Sequence, residues 1–155
     1  MITNLEALVA ACKAGEKPFQ ELVDLVPYAR FMGLQVEMRG EEMAFILPRN
    51  EMVLGNPTLP ALHGGAIAGF MEQSAAIFVL SAMGEPKIPK TIDFTIDYLR
   101  AGLFKDVFAE CRVTRLGRRI ANVAIEAWQD SRDQPIAIAR CHFLISDSAS
   151  QNSGL

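Results

Sequence analysis

The chain has 155 residues, half of them hydrophobic, with 15 basic against 18 acidic side chains and a formal net charge of -3. That length holds one domain with a real core, and the charge gives no footprint for nucleic acid as a partner. Three cysteines, an odd number without metal-ligand spacing, fit a reducing compartment, the cytoplasm, better than a disulfide framework.

In chain order, Asn4 is placed to cap a first helix whose Leu5, Leu8, Val9 and Cys12 share one stripe, closed by Gly15. A second helix starts at Pro18 and is disturbed at Pro27, so residues 1–31 form an N-terminal helical segment. Leu34, Val36 and Met38 alternate with Gln35, Glu37 and Arg39, a strand with one wet face, and Gly40 turns it into a partner strand through 44–47. Residues 48–60 read as a loop leading to a central helix over 62–83. After Pro89, Ile92, Phe94, Ile96 and Tyr98 share one strand face, and Thr91, Asp93, Thr95 and Asp97 share the other. Three more strands are expected at 105–116, 119–129 and 135–146, in antiparallel hairpins. The polar, Ser-rich tail 147–155 is expected to be disordered, leaving 1–146 as a single domain. Two strands, a helix and four strands make an α+β fold. A helix apolar on every face is best covered if an antiparallel sheet of about six strands curls around it.

That helix carries the chemistry. From residue 62 to 83 the only charge is Glu72, and burying a carboxylate without partners costs several kcal/mol. Glu72-Gln73 near the centre, with three glycines, argues against a membrane span. If the helix starts near His63, the N–H groups of Gly64 and Gly65 lie unpaired in its first turn, at the positive end of the dipole. Without side chains, these glycines let a ligand oxygen approach the backbone. Donors of this kind stabilise an oxyanion, so a helix N-terminus plus a buried carboxylate equips acyl hydrolysis. The plainer alternative is a Gly-rich turn before a core helix, with Glu72 neutralised by a hidden Arg.

The run Leu62-His63-Gly64-Gly65-Ala66-Ile67-Ala68 leading to Glu72-Gln73-Ser74-Ala75-Ala76 resembles the active-site helix of the hotdog-fold acyl-CoA thioesterases of the phenylacetate-pathway (PaaI-like) type. There an HGG turn is followed, eight residues after its first Gly, by an acid, and here Glu72 stands at that distance from Gly64. Thr91-Ile92-Asp93-Phe94 leading to Tyr98-Leu99-Arg100 is similar to the family's third strand, and Arg115-Leu116-Gly117-Arg118-Arg119 to its basic hairpin turn. The resemblance implies a hotdog fold and hydrolysis of acyl-CoA to the free acid and CoA. It implies Glu72 as base or nucleophile, the Gly65 N–H as oxyanion donor, and His63 against the same pocket. Thr91 would supply a hydroxyl that places the acid or the water, and Asn56 the polar amide upstream of HGG. Gly64 would line the substrate site. Arg115, Arg118 and Arg119 either grip the phosphates of coenzyme A or form a solvated hairpin rim. No metal or redox cofactor is implied.

Gly65 and Glu72 are seven residues apart, about 10 Å along one helix, which predicts a site built by two chains. A homodimer, or a homotetramer as a dimer of dimers, follows. Two other functions are weighed. Hotdog dehydratases or hydratases of 3-hydroxyacyl thioesters need a His well upstream of the Glu, where Thr58 and Leu59 stand, and no His precedes His63. The second alternative is a non-catalytic protein that binds acyl-CoA without cleaving it, against which a buried Glu72 argues only weakly. Cys141 and His142, neighbours in a strand, point to opposite faces and cannot pair.

Overall fold

The computed structural model describes residues 4–83 and 87–145. The Asn4 side chain accepts a hydrogen bond from the Ala7 N–H at 3.0 Å and opens α1 (Leu5–Lys13). Gly15, at φ +75°, carries the chain away from that helix. Next come α2 (Gln20–Asp24) and α3 (Pro27–Met32). Pro27 does not disturb the second helix, as expected from sequence, but starts a third. It sits in the first turn, where its missing N–H has no partner to lose.

β1 (Gln35–Arg39) and β2 (Glu42–Leu47) form the first hairpin. The inward face of β1 is incomplete: Val36 is half-buried and Met38 exposed, because the core ends at this edge. The expected loop 48–60 holds more structure than its composition suggested. It contains a 3-10 turn (Glu51–Val53) and β3 (Leu54–Asn56), which pairs with β4 (Ala61–Leu62) in a separate ribbon. α4 (Gly64–Ala82) follows, then β5 (Lys90–Tyr98), β6 (Val107–Leu116), β7 (Ile120–Trp128) and β8 (Ala137–Leu144). The tail from 147 on lies outside the described residues.

The six main strands form one antiparallel sheet in the order β1-β2-β6-β7-β8-β5, with α4 packed on one face. This is the expected α+β hotdog arrangement. The core lies between sheet and helix, where Phe45, Val123, Ile125 and Phe143 meet Phe70, Met71, Ala75 and Val79. Ala109, Ala121, Ala127, Ala137 and Ala139 keep the strands shallow beneath the helix, as close packing demands. By length and composition α4 could cross a membrane; here its apolar surface packs against the sheet. The Lys13 ammonium donates to the Met83 carbonyl at 2.6 Å, answering the negative end of α4.

The two outer strands differ. Along β1, the Gln20 amide donates to the Leu34 carbonyl and accepts from the Val36 N–H, both at 3.0 Å. β5 pairs with β8 on one side, and among the described residues no strand pairs with its other side. Its register shifts between Thr91 and Asp93, leaving Ile92 as an extra residue. Phe94, Ile96 and Tyr98 oppose Cys141, Ala139 and Ala137 on the helix side, while Asp93 opposes His142 outside. Thr91 opposes the buried Phe143. The bulge therefore separates Thr91 from Asp93, which plain alternation had put on one face, and takes Ile92 out of phase with Phe94.

Candidate active site

His63 is the N-cap of α4 and is tied on both sides. Its N–H donates to the Val53 carbonyl at 2.8 Å, and its Nδ1 accepts from the Gly65 N–H at 2.9 Å. The Gly65 N–H is thus not the unpaired donor expected from sequence, because the neighbouring ring folds back over the helix end. Glycine is what permits this fold: a Cβ at residue 65 would lie 2.9 Å from two atoms of that ring. Gly55 of β3 packs equally tightly, since a Cβ there would stand 2.7 Å from the His63 Cα. The Gly64 carbonyl accepts from the Tyr98 hydroxyl at 2.7 Å.

Glu72 lies two turns further along α4. It is half-buried rather than buried within one chain, so the expectation of a sequestered carboxylate needs correction. The reason is geometric. Gly65 is exposed, and Ala68, Glu72 and Ala76 are half-buried, at spacings of three, four and four residues. They lie on one face of α4 that is only partly covered within the chain. An apolar composition on every side suggests burial within one chain; in the structure this small-residue face is partly exposed.

Glu72 and Thr91 both influence Cys141 of β8. Burial pushes the Cys141 thiol up to about 12, the Glu72 charge pushes in the same direction, and a hydrogen bond with Thr91 opposes them; Asp93 adds a smaller upward push. Cys141 is therefore a neutral thiol at neutral pH and a poor nucleophile. As the strand geometry required, His142 faces the other way, its Nδ1 3.6 Å from the Asp93 carboxylate. The sequence gives no sign of this link, because the one-residue bulge that sets Thr91 opposite Phe143 has no signature in the alternation.

The remaining sequence-derived residues fall into two places. The Asn56 Oδ1 accepts from the Thr58 N–H at 3.0 Å, the Thr58 hydroxyl at 2.7 Å and the Leu59 N–H at 3.2 Å, so its oxygen ties down its own loop. Arg115, Arg118 and Arg119 come together along one open groove of about 580 Å³, beside Asn122 and His142. The Asn122 Oδ1 is buried there and has no hydrogen-bond partner among the described residues. Tyr98, quoted in sequence only as part of a strand, was missed as a neighbour of the helix N-terminus. The two residues are 34 positions apart, and no local pattern links them.

Comparison with known proteins narrows what such a site does. The thioesterase superfamily pattern matches residues 59–136, from β4 through α4 to the end of β7. A crystal structure of a protein from Chromobacterium violaceum is 40% identical, covers 92% of this chain and 98% of that one, and superposes with a TM-score of 0.71. The medium/long-chain acyl-CoA thioesterase YigI of Escherichia coli (strain K12) is 26% identical over 136 residues, 79% of this chain and 88% of its own. The E. coli PaaI protein from the phenylacetic acid degradation operon is 19% identical and shares the fold, with a TM-score of 0.68 over 81% of this chain and 88% of that one. With its helix-capping His-Gly-Gly turn, its mid-helix acid and a pattern match over half its length, this chain belongs to the thioesterase superfamily.

Proposed function

We propose that the protein hydrolyses acyl-CoA thioesters to the free acid and CoA, with Glu72 as the reacting carboxylate and the Gly65 N–H as oxyanion donor. The observation that carries this reading is the shared, partly exposed face of α4, on which the Gly65 end of the helix and the Glu72 carboxylate both lie. As a base, Glu72 takes a proton from water and the water oxygen adds to the carbonyl carbon. The C–S bond then breaks, and the departing sulfur receives that proton. As a nucleophile, Glu72 instead forms a mixed anhydride with loss of CoA, and water opens it. Either route puts negative charge on the carbonyl oxygen, where one well-placed N–H is worth about 2.7–4 kcal/mol. The His63 ring holds that N–H in the free protein and gives way to the substrate oxygen. Thr91 orients the acid or the water, and Asn56 flanks the turn. The groove of Arg115, Arg118 and Arg119 takes the phosphates of CoA.

The site is assembled from two chains. About 10 Å of helix separates Gly65 from Glu72, whereas an attacking atom must come within about 3–3.5 Å of the carbonyl carbon. A second α4 running antiparallel across a two-fold axis brings its Glu72 beside the first helix's N-terminus. The small residues of that partly exposed face allow the close approach, and the unpaired side of β5 offers a second contact. A homodimer is the minimum, with a dimer of dimers as the larger assembly. The three free thiols support a reducing compartment, the cytoplasm.

The test is hydrolysis of medium- and long-chain acyl-CoAs, the class named for YigI, followed by the release of free thiol. Glu72→Gln keeps the shape and removes the base, and kcat is expected to fall by about 10²-fold or more. A folded Glu72→Gln protein with near-full kcat makes the carboxylate structural and overturns this mechanism.

A further inference from the structure

The amide that joins Gly64 to Gly65 is held at both ends. Its carbonyl accepts from the Tyr98 hydroxyl at 2.7 Å, and its N–H donates to His63 Nδ1 at 2.9 Å. A phenol, one peptide group and an imidazole therefore form a single line of hydrogen bonds. A donor on the carbonyl oxygen draws electron density from the amide nitrogen, which strengthens the N–H as a donor in turn. The same bond fixes the plane of the amide, and with it the direction in which the N–H points.

The approach is tightly fitted. Tyr98 ends β5 opposite Ala137, on the face that carries α4, and the next N–H, of Leu99, donates to the Ile136 carbonyl at 2.8 Å. A Cβ at residue 64 would lie 3.2 Å from the Tyr98 ring, closer than a side chain tolerates without displacement. Glycine at 64 thus lets the ring lie this close without shifting by a few tenths of an ångström. A phenylalanine at 98 would fill the same space; only the hydroxyl reaches the helix.

We infer that Tyr98 is a positioning residue that aims and polarises the Gly64–Gly65 amide, so that its N–H is already set when a thioester oxygen displaces the His63 ring. This rests on the reading of the Gly65 N–H as oxyanion donor, and the two fail in different experiments. In the full chain with isotope-labelled glycine, Tyr98→Phe is expected to move the Gly65 amide proton resonance upfield. With medium-chain acyl-CoA as substrate, kcat should fall about fivefold, the effect of one lost hydrogen bond, while KM changes by less than about twofold. Gly64→Ala, which keeps the hydroxyl but displaces the ring, should shift both readouts in the same direction. An unmoved Gly65 resonance overturns the inference. So does an unchanged kcat in Tyr98→Phe when Gly65→Pro, which lacks the N–H, is inactive; the oxyanion reading then stands without Tyr98. A folded Gly65→Pro protein with near-full activity overturns the oxyanion reading and the inference together.

Discussion

β1 and β5 are both outer strands of one sheet, but among the described residues only β1 has outward backbone groups answered from within the chain. The Gln20 side chain lies along it like a single residue of a neighbouring strand, accepting from Val36 and donating to Leu34. β1 is also short, five residues, and carries Glu37 and Arg39. These devices blunt an edge against unwanted pairing. β5 has nine residues, presents Ile92 at 53% and Tyr98 at 52% exposure, and has no such cover among the described residues. The strand left open is also the one that sets Thr91 opposite Phe143 and brings Tyr98 to Gly64. One strand thus serves both the proposed site and the proposed contact, which is the economy a two-chain enzyme requires.

The strongest way to break this comparison is to blunt β5 as β1 is blunted. Ile92→Lys puts a charge where the isolated chain exposes an apolar side chain, so the protomer should fold unchanged. It is expected to sediment as a monomer, with activity reduced at least about tenfold. A fully active Ile92→Lys dimer would mean that β5 is not the interface. On the closed side, Gln20→Ala leaves the Val36 N–H and the Leu34 carbonyl without their partner. Urea unfolding should show a loss of about 1–3 kcal/mol with kcat unaltered, and Gln20→Glu, which keeps the acceptor, should lose less. No change in stability would make the Gln20 contact ornamental.

The smallest effect concerns pH, one strand in from the open edge. Cys141 ionises at an ordinary 9.0 when unfolded but only at about 12 when folded, chiefly through burial. The unfolded chain therefore loses this proton first. The contribution of Cys141 to stability is complete below about pH 9 and is lost as pH rises toward about 12. Urea midpoints should fall between about pH 8 and 10.5, less steeply in Cys141→Ala. The half-buried Cys111 thiol, shifted in the same direction, keeps the slope from vanishing. Equal slopes in the two proteins would remove Cys141 from this account.

Sequence reading succeeded where the determining contacts are local. A largely apolar run after His-Gly-Gly, with Glu72 its one charge, predicts a helix over 62–83, and α4 spans Gly64–Ala82. Alternation punctuated by Gly102, Gly117 and 130–134 predicts β6, β7 and β8 to within a few residues. It failed where the deciding partner is remote or unusual. Histidine is not among the common helix caps, so the capture of the Gly65 N–H by His63 was not anticipated. Gln20 on β1 and Tyr98 on Gly64 join segments whose positions only the folded sheet fixes. The half-exposure of Glu72 follows from where the sheet stops, which no residue pattern along α4 records.

The bulge at Ile92 has a consequence for how this segment tolerates change. The face of Thr91 is set by its pairing with Phe143 and not by its distance from Asp93. The strand holds one residue more than its ladder uses, so removing Ile92 would shorten the segment and still leave Thr91 opposite Phe143. Drawing Ile92 into register with Phe143 would keep every residue and move Thr91 to the sheet face of Asp93. At this point in the chain, losing a residue is the gentler change, and straightening the strand amounts to a rotation of the site.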